Sequence, residues 1–258
     1  MKQENMKIVN HRLLTTDIYE MTLSGQLVTE MHVPGQFLHL RLPQTTHVLR
    51  RPISISQIDP KQKICRIIYR LKGEGTKILA QLKVGEKIDV MGPLGNGFDL
   101  SQVKKGDLVY VVGGGIGIPP LYELARQLKD KKATVVNFLG YATKDLVYYE
   151  EEFKAIGETL VATDDGSYGL KGNVGNLLEI KKQSPQAAFA CGASGLLKVC
   201  EKTFIGQVDN IQLSLEARMA CGMGACYACV VPLAGSMNQN VKVCEDGPIF
   251  QAGKVVIE

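Results

Sequence analysis

Through about residue 100 the apolar positions come in short runs. Residues 18–23, 37–42 and 65–71 alternate with polar positions or run apolar, and Gly and Pro separate them. Such runs predict β-strands. Several of them at these intervals predict a small antiparallel barrel. One helix-like stretch, residues 76–82, interrupts the strands after Gly73 and Gly75, and residues 87–98 close the barrel as a strand entering a glycine-rich turn. From about residue 106 the period changes. Residues 107–112 form a continuous apolar run, as expected of a strand buried on both faces. Leu121, Leu124, Ala125 and Leu128 then recur at i, i+3, i+4 and i+7, the pattern of an amphipathic helix. Apolar strands at 133–140, 158–163 and 187–191 alternate with further helix-like stretches. That rhythm predicts a parallel sheet covered by helices on both faces. The last forty residues lose the rhythm. The expected architecture is α+β and multidomain: an antiparallel β-barrel over 1–101, an α/β parallel-sheet domain over 102–212 and a small C-terminal domain over 213–258.

Composition narrows the classes. A chain of 258 residues has room for two domains and a small third. Its 45% hydrophobic and 22% charged content is that of an ordinary globular protein. The net charge of +4 is small and scattered, with no basic block interleaved with aromatics, so no nucleic-acid partner is expected. The first residues lack the apolar core of a secretory signal, and no apolar run reaches the ~18–20 residues that span a bilayer. With seven cysteines, four of them crowded near one end, a reducing compartment and a cytoplasmic location are expected.

Those four cysteines carry the strongest chemical signal. Cys221, Cys226 and Cys229 follow a C-x4-C-x2-C spacing, and Cys244 comes after fourteen further residues. This is the plant-type spacing for a [2Fe–2S] cluster. The glycines and alanines between the cysteines would let backbone N–H groups approach sulfur. A zinc site also takes four cysteines, but usually as two close pairs, and a C-x2-C pair in a glycine-rich loop makes a poor disulfide. Iron–sulfur, zinc and disulfide remain in that order.

Other motifs are weaker alone. Gly115-Ile-Gly117-Ile-Pro-Pro120 lies between a buried strand and an amphipathic helix, where an open α/β sheet binds a dinucleotide. Its G-x-G-x-x-P pattern is equally that of a plain strand-to-helix turn. Arg51 to Ser54 open an extended segment, and Gly75-Thr76 stand at a helix start. Together an arginine and a helix N-terminus can hold a diphosphate; separately they read as a solvated charge beside Arg50 and an ordinary cap. Cys65 and Cys200 read as buried apolar residues, and Cys191 as buried or as facing a ligand. His11, His32, His39 and His47 show no ligand-like spacing and read as structural or surface residues.

In their order and spacing, Arg51-Pro-Ile-Ser54, Gly75-Thr76, Gly115-x-Gly117-x-x-Pro120 and Cys191-Gly192 resemble the ferredoxin–NADP reductase-like flavoproteins over residues 1 to about 210. With the cysteine set added, the whole chain resembles the iron–sulfur electron-transfer subunits of NAD-dependent (B-type) dihydroorotate dehydrogenases. The resemblance implies FAD at Arg51, Pro52, Ile53, Ser54, Ile68, Tyr69, Arg70, Gly75 and Thr76. It implies NAD at Gly115, Gly117 and Pro120, with Cys191 near the nicotinamide, and a [2Fe–2S] cluster on Cys221, Cys226, Cys229 and Cys244. It further implies an FMN-containing catalytic partner, in a heterotetramer of two of each subunit, acting in pyrimidine synthesis. Two departures follow. Ile53 stands where the superfamily has an aromatic, so an aliphatic contact is expected to replace the aromatic stack on the flavin, with Tyr69 a candidate neighbour. Cys244 comes earlier than in free plant ferredoxins, so a short cluster-binding appendage is expected.

Nicotinamide moves hydride and an iron–sulfur cluster moves single electrons, so a flavin must stand between them. The expected path runs from the partner's FMN through the cluster and FAD to NAD+. Acidic Asp164-Asp165 at the third sheet strand, against one Lys144 at the second, favours NAD over NADP. Rival readings are a reductase subunit serving ferredoxin or a hydrogenase, and a zinc- or redox-sensing interaction module.

Overall fold

The computed structural model describes residues 1–43, 47–236 and 238–258. Strands β1 (Lys2–Leu13), β2 (Ile18–Ser24), β3 (Phe37–Leu40), β4 (Arg51–Asp59), β5 (Ile64–Arg70) and β6 (Lys87–Leu94) close an antiparallel barrel in the order β1-β2-β5-β4-β3-β6. Its interior holds Met6, Ile8, Met21, Leu23, Leu38, Leu40, Ile67, Tyr69 and Val90. Helix α1 (Glu74–Gln81) fills the β5–β6 connection and buries Leu79 on that core. The long β1 has no counterpart in the expected strands. Its sequence is mostly charged and polar, and within it only Met6 and Ile8 are buried. Pairing with β2 on one side and β6 on the other holds it in place.

The second half builds the expected parallel sheet. Its elements are β7 (Leu108–Gly114), α2 (Pro119–Asp130), β8 (Thr134–Tyr141), α3 (Glu150–Lys154), β9 (Glu158–Thr163), β10 (Leu170–Lys171), α4 (Val174–Ile180), β11 (Ala187–Cys191), α5 (Ser194–Phe204) and β12 (Asn210–Ser214). β13 (Val230–Pro232) and β14 (Asn240–Lys242) form a two-stranded ribbon, and β15 (Ile249–Gln251) returns to the sheet. The sheet order is β10-β9-β8-β7-β11-β12-β15. Successive strands run outward from β7 in one direction and from β11 in the other, so the order reverses between these two. Helices α2 and α3 bury Leu121, Leu124, Leu128 and Phe153 on one face; α4 and α5 bury Leu177, Leu197 and Phe204 on the other.

The C-terminal segment is more than the appendage its length suggests. Strand β15 adds antiparallel to β12, pairing Leu213 with Phe250. Asn96, just past β6, donates its side-chain amide to the Glu245 carbonyl at 2.8 Å and its backbone N–H to the Gly247 carbonyl at 2.6 Å. Cys229, Val243, Cys244 and Phe250 share one core with Phe37, Met91 and Leu94 of the barrel and with the sheet. The cysteine-bearing segment is therefore wedged between barrel and sheet. A second fastening joins those two bodies: buried Glu123 of α2 accepts the Ile58 N–H of β4 at 3.1 Å and pairs with Arg126 at 2.8 Å. Among the described residues no helix is long and apolar enough to cross a membrane.

Candidate functional site

Between β12 and β13 the chain runs as a glycine-rich loop. Gly222 (φ +69°) and Gly224 (φ +81°) occupy the left-handed region that side chains disfavour. That geometry turns backbone N–H groups onto sulfur. Met223 and Cys226 donate to Cys221 Sγ at 3.5 and 3.3 Å, and Gly224 donates to Cys244 Sγ at 3.3 Å. Cys221 interacts with Cys226, and Cys244 with both Cys229 and Cys221, so the four cysteines lie close together. Burial raises the Cys221 pKa, but the N–H groups of Met223 and Cys226 outweigh it and bring the thiol down to about 7. Burial first, then Cys229, pushes Cys244 up to about 12. Cys229 and Cys244 are buried, whereas Cys221 and Cys226 are half-buried. Four cysteine sulfurs, two of them under aimed N–H groups, fit the donor set of a two-iron cluster. The loop rests on the barrel through His39 of β3: a Cβ on Gly222 would lie 2.5 Å from His39 Nδ1. Burial, then the charge of Arg50, lowers the His39 pKa.

On the barrel, Arg51 begins β4 and lies over the start of α1. A Cβ on Gly75 would sit 2.2 Å from Arg51 Nε, so glycine is what lets the guanidinium reach the helix N-terminus. The two features that were weak apart are thus in contact. Thr76 turns its hydroxyl back to accept from Lys72 N and Gly73 N at 3.0 and 3.2 Å, so its capping role is present too. Arg50 is no loose surface charge, since it holds Asp89 at 2.9 Å. Pro52, Ile53 and Ser54 pair in register with His39, Leu38 and Phe37 of β3. Along β5 the faces alternate. Ile68 points out of the barrel into a core shared with the sheet, and exposed Arg70 bonds Asp17 at 2.6 Å. Tyr69 points inward. Its ring stacks on Tyr19 with centroids 5.9 Å apart, and its hydroxyl meets His11 Nε2 at 2.8 Å. Strand alternation turns this side chain to the interior, leaving its backbone on the outer face.

The sheet supplies a third site. The parallel strands end at one edge, and β7 and β11 flank the crevice where the strand order reverses, the place where such sheets bind ligands. Gly115 there has φ +53°. A Cβ on Gly117 would lie 2.5 Å from the Cys191 carbonyl, so the two turns touch backbone to backbone. Pro119 and Pro120 start α2, where a missing N–H costs nothing. Cys191 is held between that turn and Ser214; burial, partly offset by a Ser214 hydrogen bond, pushes its thiol up to about 12. At the neighbouring strand ends, exposed Asp165 accepts from Ser167 N and Oγ at 2.9 and 2.6 Å, and these bonds lower its pKa. The residues before α3 bind the sites together. Tyr148 donates to the Gly115 carbonyl at 2.8 Å, and Tyr149, at φ +64°, donates to buried Glu20 of the barrel at 2.5 Å. Ile68, Tyr148, Tyr149 and Ile118 share one apolar cluster, against which Cys191 also packs. Glu20, Tyr148 and Tyr149 had no place in the sequence reading; the Tyr-Tyr pair beyond the second sheet strand was their one visible signal.

Comparison with known proteins matches these regions. Residues 216–256 match the iron-sulfur cluster binding domain of dihydroorotate dehydrogenase B, and residues 5–98 match the oxidoreductase FAD-binding domain. The chain is 52% identical to the dihydroorotate dehydrogenase B (NAD(+)) electron transfer subunit of Enterococcus faecalis, over 99% of each chain. The chain belongs to this family. The subunit of the same name from Bacillus caldolyticus is 49% identical over 99% of both chains. Among solved structures, a chain of an NADH-dependent reduced ferredoxin-NADP oxidoreductase superposes with a TM-score of 0.87 at 30% identity, covering 98% of this chain and 90% of that one. A ferredoxin NADP+ reductase from Neisseria gonorrhoeae shares the fold of barrel and sheet, with a TM-score of 0.68 at 15% identity over 83% of this chain and 100% of that one. Family membership joins an FAD-binding domain and an iron–sulfur cluster binding domain to NAD(+) dependence on one chain.

Proposed function

We infer that this chain carries electrons from the FMN of a dihydroorotate-oxidising partner to NAD+, through one [2Fe–2S] cluster and one FAD, in pyrimidine (UMP) synthesis. The observation that carries the reading is the full-length family match joined to a continuous fold: one core runs from Cys229 and Cys244 to the barrel, and another from Ile68 to the crevice beside Cys191. When bound, a flavin exchanges hydride with nicotinamide and single electrons with an iron–sulfur cluster, so its seat belongs between theirs.

The residues divide the work. Arg51 and the α1 N-terminus at Gly75-Thr76 would hold the flavin diphosphate, with Pro52 to Ser54 and Ile68 to Arg70 along the rest of the cofactor. Gly115, Gly117 and Pro120 would cradle the NAD pyrophosphate, and the carboxylates of Asp164 and Asp165 would repel a 2′-phosphate. Cys221, Cys226, Cys229 and Cys244 would ligate iron. Cys191 would line the nicotinamide end as a neutral thiol. The units of work are 1–101 for FAD, 102–212 for NAD and 213–258 for the cluster. Exposed Met223 and Tyr227 flank the half-buried cysteine pair and suit a partner's face, in a heterotetramer of two of each subunit located in the cytoplasm.

Co-expression with an FMN-bearing dihydroorotate dehydrogenase subunit tests this directly. The expected result is a complex with flavin and iron–sulfur absorbance that reduces NAD+ with dihydroorotate. The 30% identical chain of a ferredoxin-NADP oxidoreductase favours one second reading, a reductase subunit serving ferredoxin. NADH-driven ferredoxin reduction without orotate formation would select it.

A further inference from the structure

Among the described residues, buried His39 stands out because both of its side-chain nitrogens lack a partner. Along β3, Leu38 and Leu40 face the barrel interior, so His39 faces outward, under the cysteine loop. It is 0% exposed, and both ring nitrogens lack a hydrogen-bond partner. Buried imidazoles are normally paired, so two orphaned nitrogens mark a missing partner. The neighbours do not supply one. The Arg50 guanidinium donates to the His39 carbonyl and to Asp89, and carries no acceptor. The Arg50 and Cys221 backbones lie against the ring and favour its protonated form, yet neither ring nitrogen has a partner in hydrogen-bond geometry. Directly above lies Gly222, next to Cys221, with φ +69° and with no room for a Cβ over Nδ1. The loop thus brings the cysteine end of the site down onto the imidazole with no side chain between.

We propose that His39 donates an N–H hydrogen bond to the sulfur cage on the Cys221 side of the cluster and thereby raises its reduction potential. The inference rests on the iron–sulfur reading above. Either tautomer carries one ring N–H, and sulfur is the acceptor the site gains when iron is bound. A donor aimed at sulfur stabilises the more negative, reduced cluster, which moves the potential upward. The imidazole keeps its proton throughout; one electron enters the cluster and no proton moves. His39 is in this sense a positioning and tuning residue.

The test uses the full chain loaded with FAD and cluster, titrated by EPR. His39→Leu should shift the cluster's reduction equilibrium about tenfold toward the oxidised state, about 59 mV for a one-electron couple. His39→Asn, which returns an amide N–H near the Nδ1 position, should recover most of the shift. Pulsed EPR of the reduced cluster in 15N-histidine-labelled protein should show a nitrogen coupling that survives replacement of His11, His32 and His47. Unchanged potential with intact cluster content, or a shift confined to the flavin couple, would overturn the proposal. Should His39→Leu fail to fold, absence of the histidine coupling in the wild-type protein would do the same. A wild-type chain that binds no iron–sulfur cluster would instead overturn the reading beneath it.

Discussion

The nucleotide crevice and the cysteine loop are built by opposite means. At the crevice, parallel strands and a helix N-terminus set the geometry, and Gly117 touches the Cys191 carbonyl backbone to backbone. Parallel pairing sets β7 and β11 in register there, Val111 with Phe189 and Gly113 with Cys191. At the cysteine loop there is little regular structure. Its shape comes from left-handed glycines, from N–H groups aimed at sulfur, and from anchorage on Asn96, His39 and β12. The crevice is a product of local topology, whereas the loop is a product of docking. The crevice should therefore tolerate loss of its ligand, and the loop should depend on both its metal and its neighbours.

Breaking the loop end gives the largest expected effect. Cys226→Ser should abolish dihydroorotate-dependent NAD+ reduction and bleach the iron–sulfur absorbance, while NADH still reduces the flavin at near the wild-type rate. Stopped-flow absorbance separates the two. If both reactions fell together, the ends would not be separable as described. Breaking the crevice end should give the mirror image. Gly117→Ala forces the turn away from Cys191, an overpacking cost of about 1–3 kcal/mol. We expect KM for NAD+ to rise about tenfold or more, with the cluster spectrum unchanged. Loosening the frame between the ends is a smaller change. Glu123→Ala leaves the buried Ile58 N–H unpaired, at a cost of about 1–3 kcal/mol. It should lower the thermal midpoint while cluster content and NAD+ affinity hold.

The smallest effect is on alkaline stability. Burial pushes the thiols of Cys65, Cys191 and Cys200 from an ordinary value of 9.0 up to about 12. Below pH 9 these groups are protonated in both states and contribute no pH dependence. As pH rises from about 9 toward about 12 the unfolded chain loses these protons while the folded chain keeps them, so stability falls. The urea midpoint should drop over that window, and less steeply in Cys65→Ala/Cys200→Ala.

The same contrast decides what was legible in the sequence. The buried strand at residues 107–112, the periodic helix at Leu121 to Leu128 and the alternating barrel strands report local burial, so their pattern names them. Strand β1 is mostly polar because water reaches most of its length, and its pairing partners supply what its sequence lacks. Strand β15 is too short to carry a period, and its place beside β12 is a tertiary fact. The cysteine-bearing segment was legible in the sequence because spacing encodes chemistry, and residues 216–256 match an iron–sulfur cluster binding domain. Its anchorage was not, since Asn96 and His39 lie far away in the chain. The direction of the Tyr69 side chain depends on strand phase, which puts its neighbours Ile68 and Arg70 on the outer face. Arg51 and Gly75, each ordinary alone, gained meaning only when the barrel brought them into contact.

The central claim is that the cysteine loop and the nucleotide crevice are two ends of one path that passes through the barrel's flavin seat. The most direct measurement is anaerobic mixing of the isolated chain with NADH, followed by flavin absorbance and by EPR of the cluster, in FAD-loaded and flavin-stripped protein. The account predicts that NADH reduces the cluster in the loaded chain, after the flavin bleaches, and leaves it oxidised in the stripped chain. Cluster reduction by NADH without the flavin would contradict it.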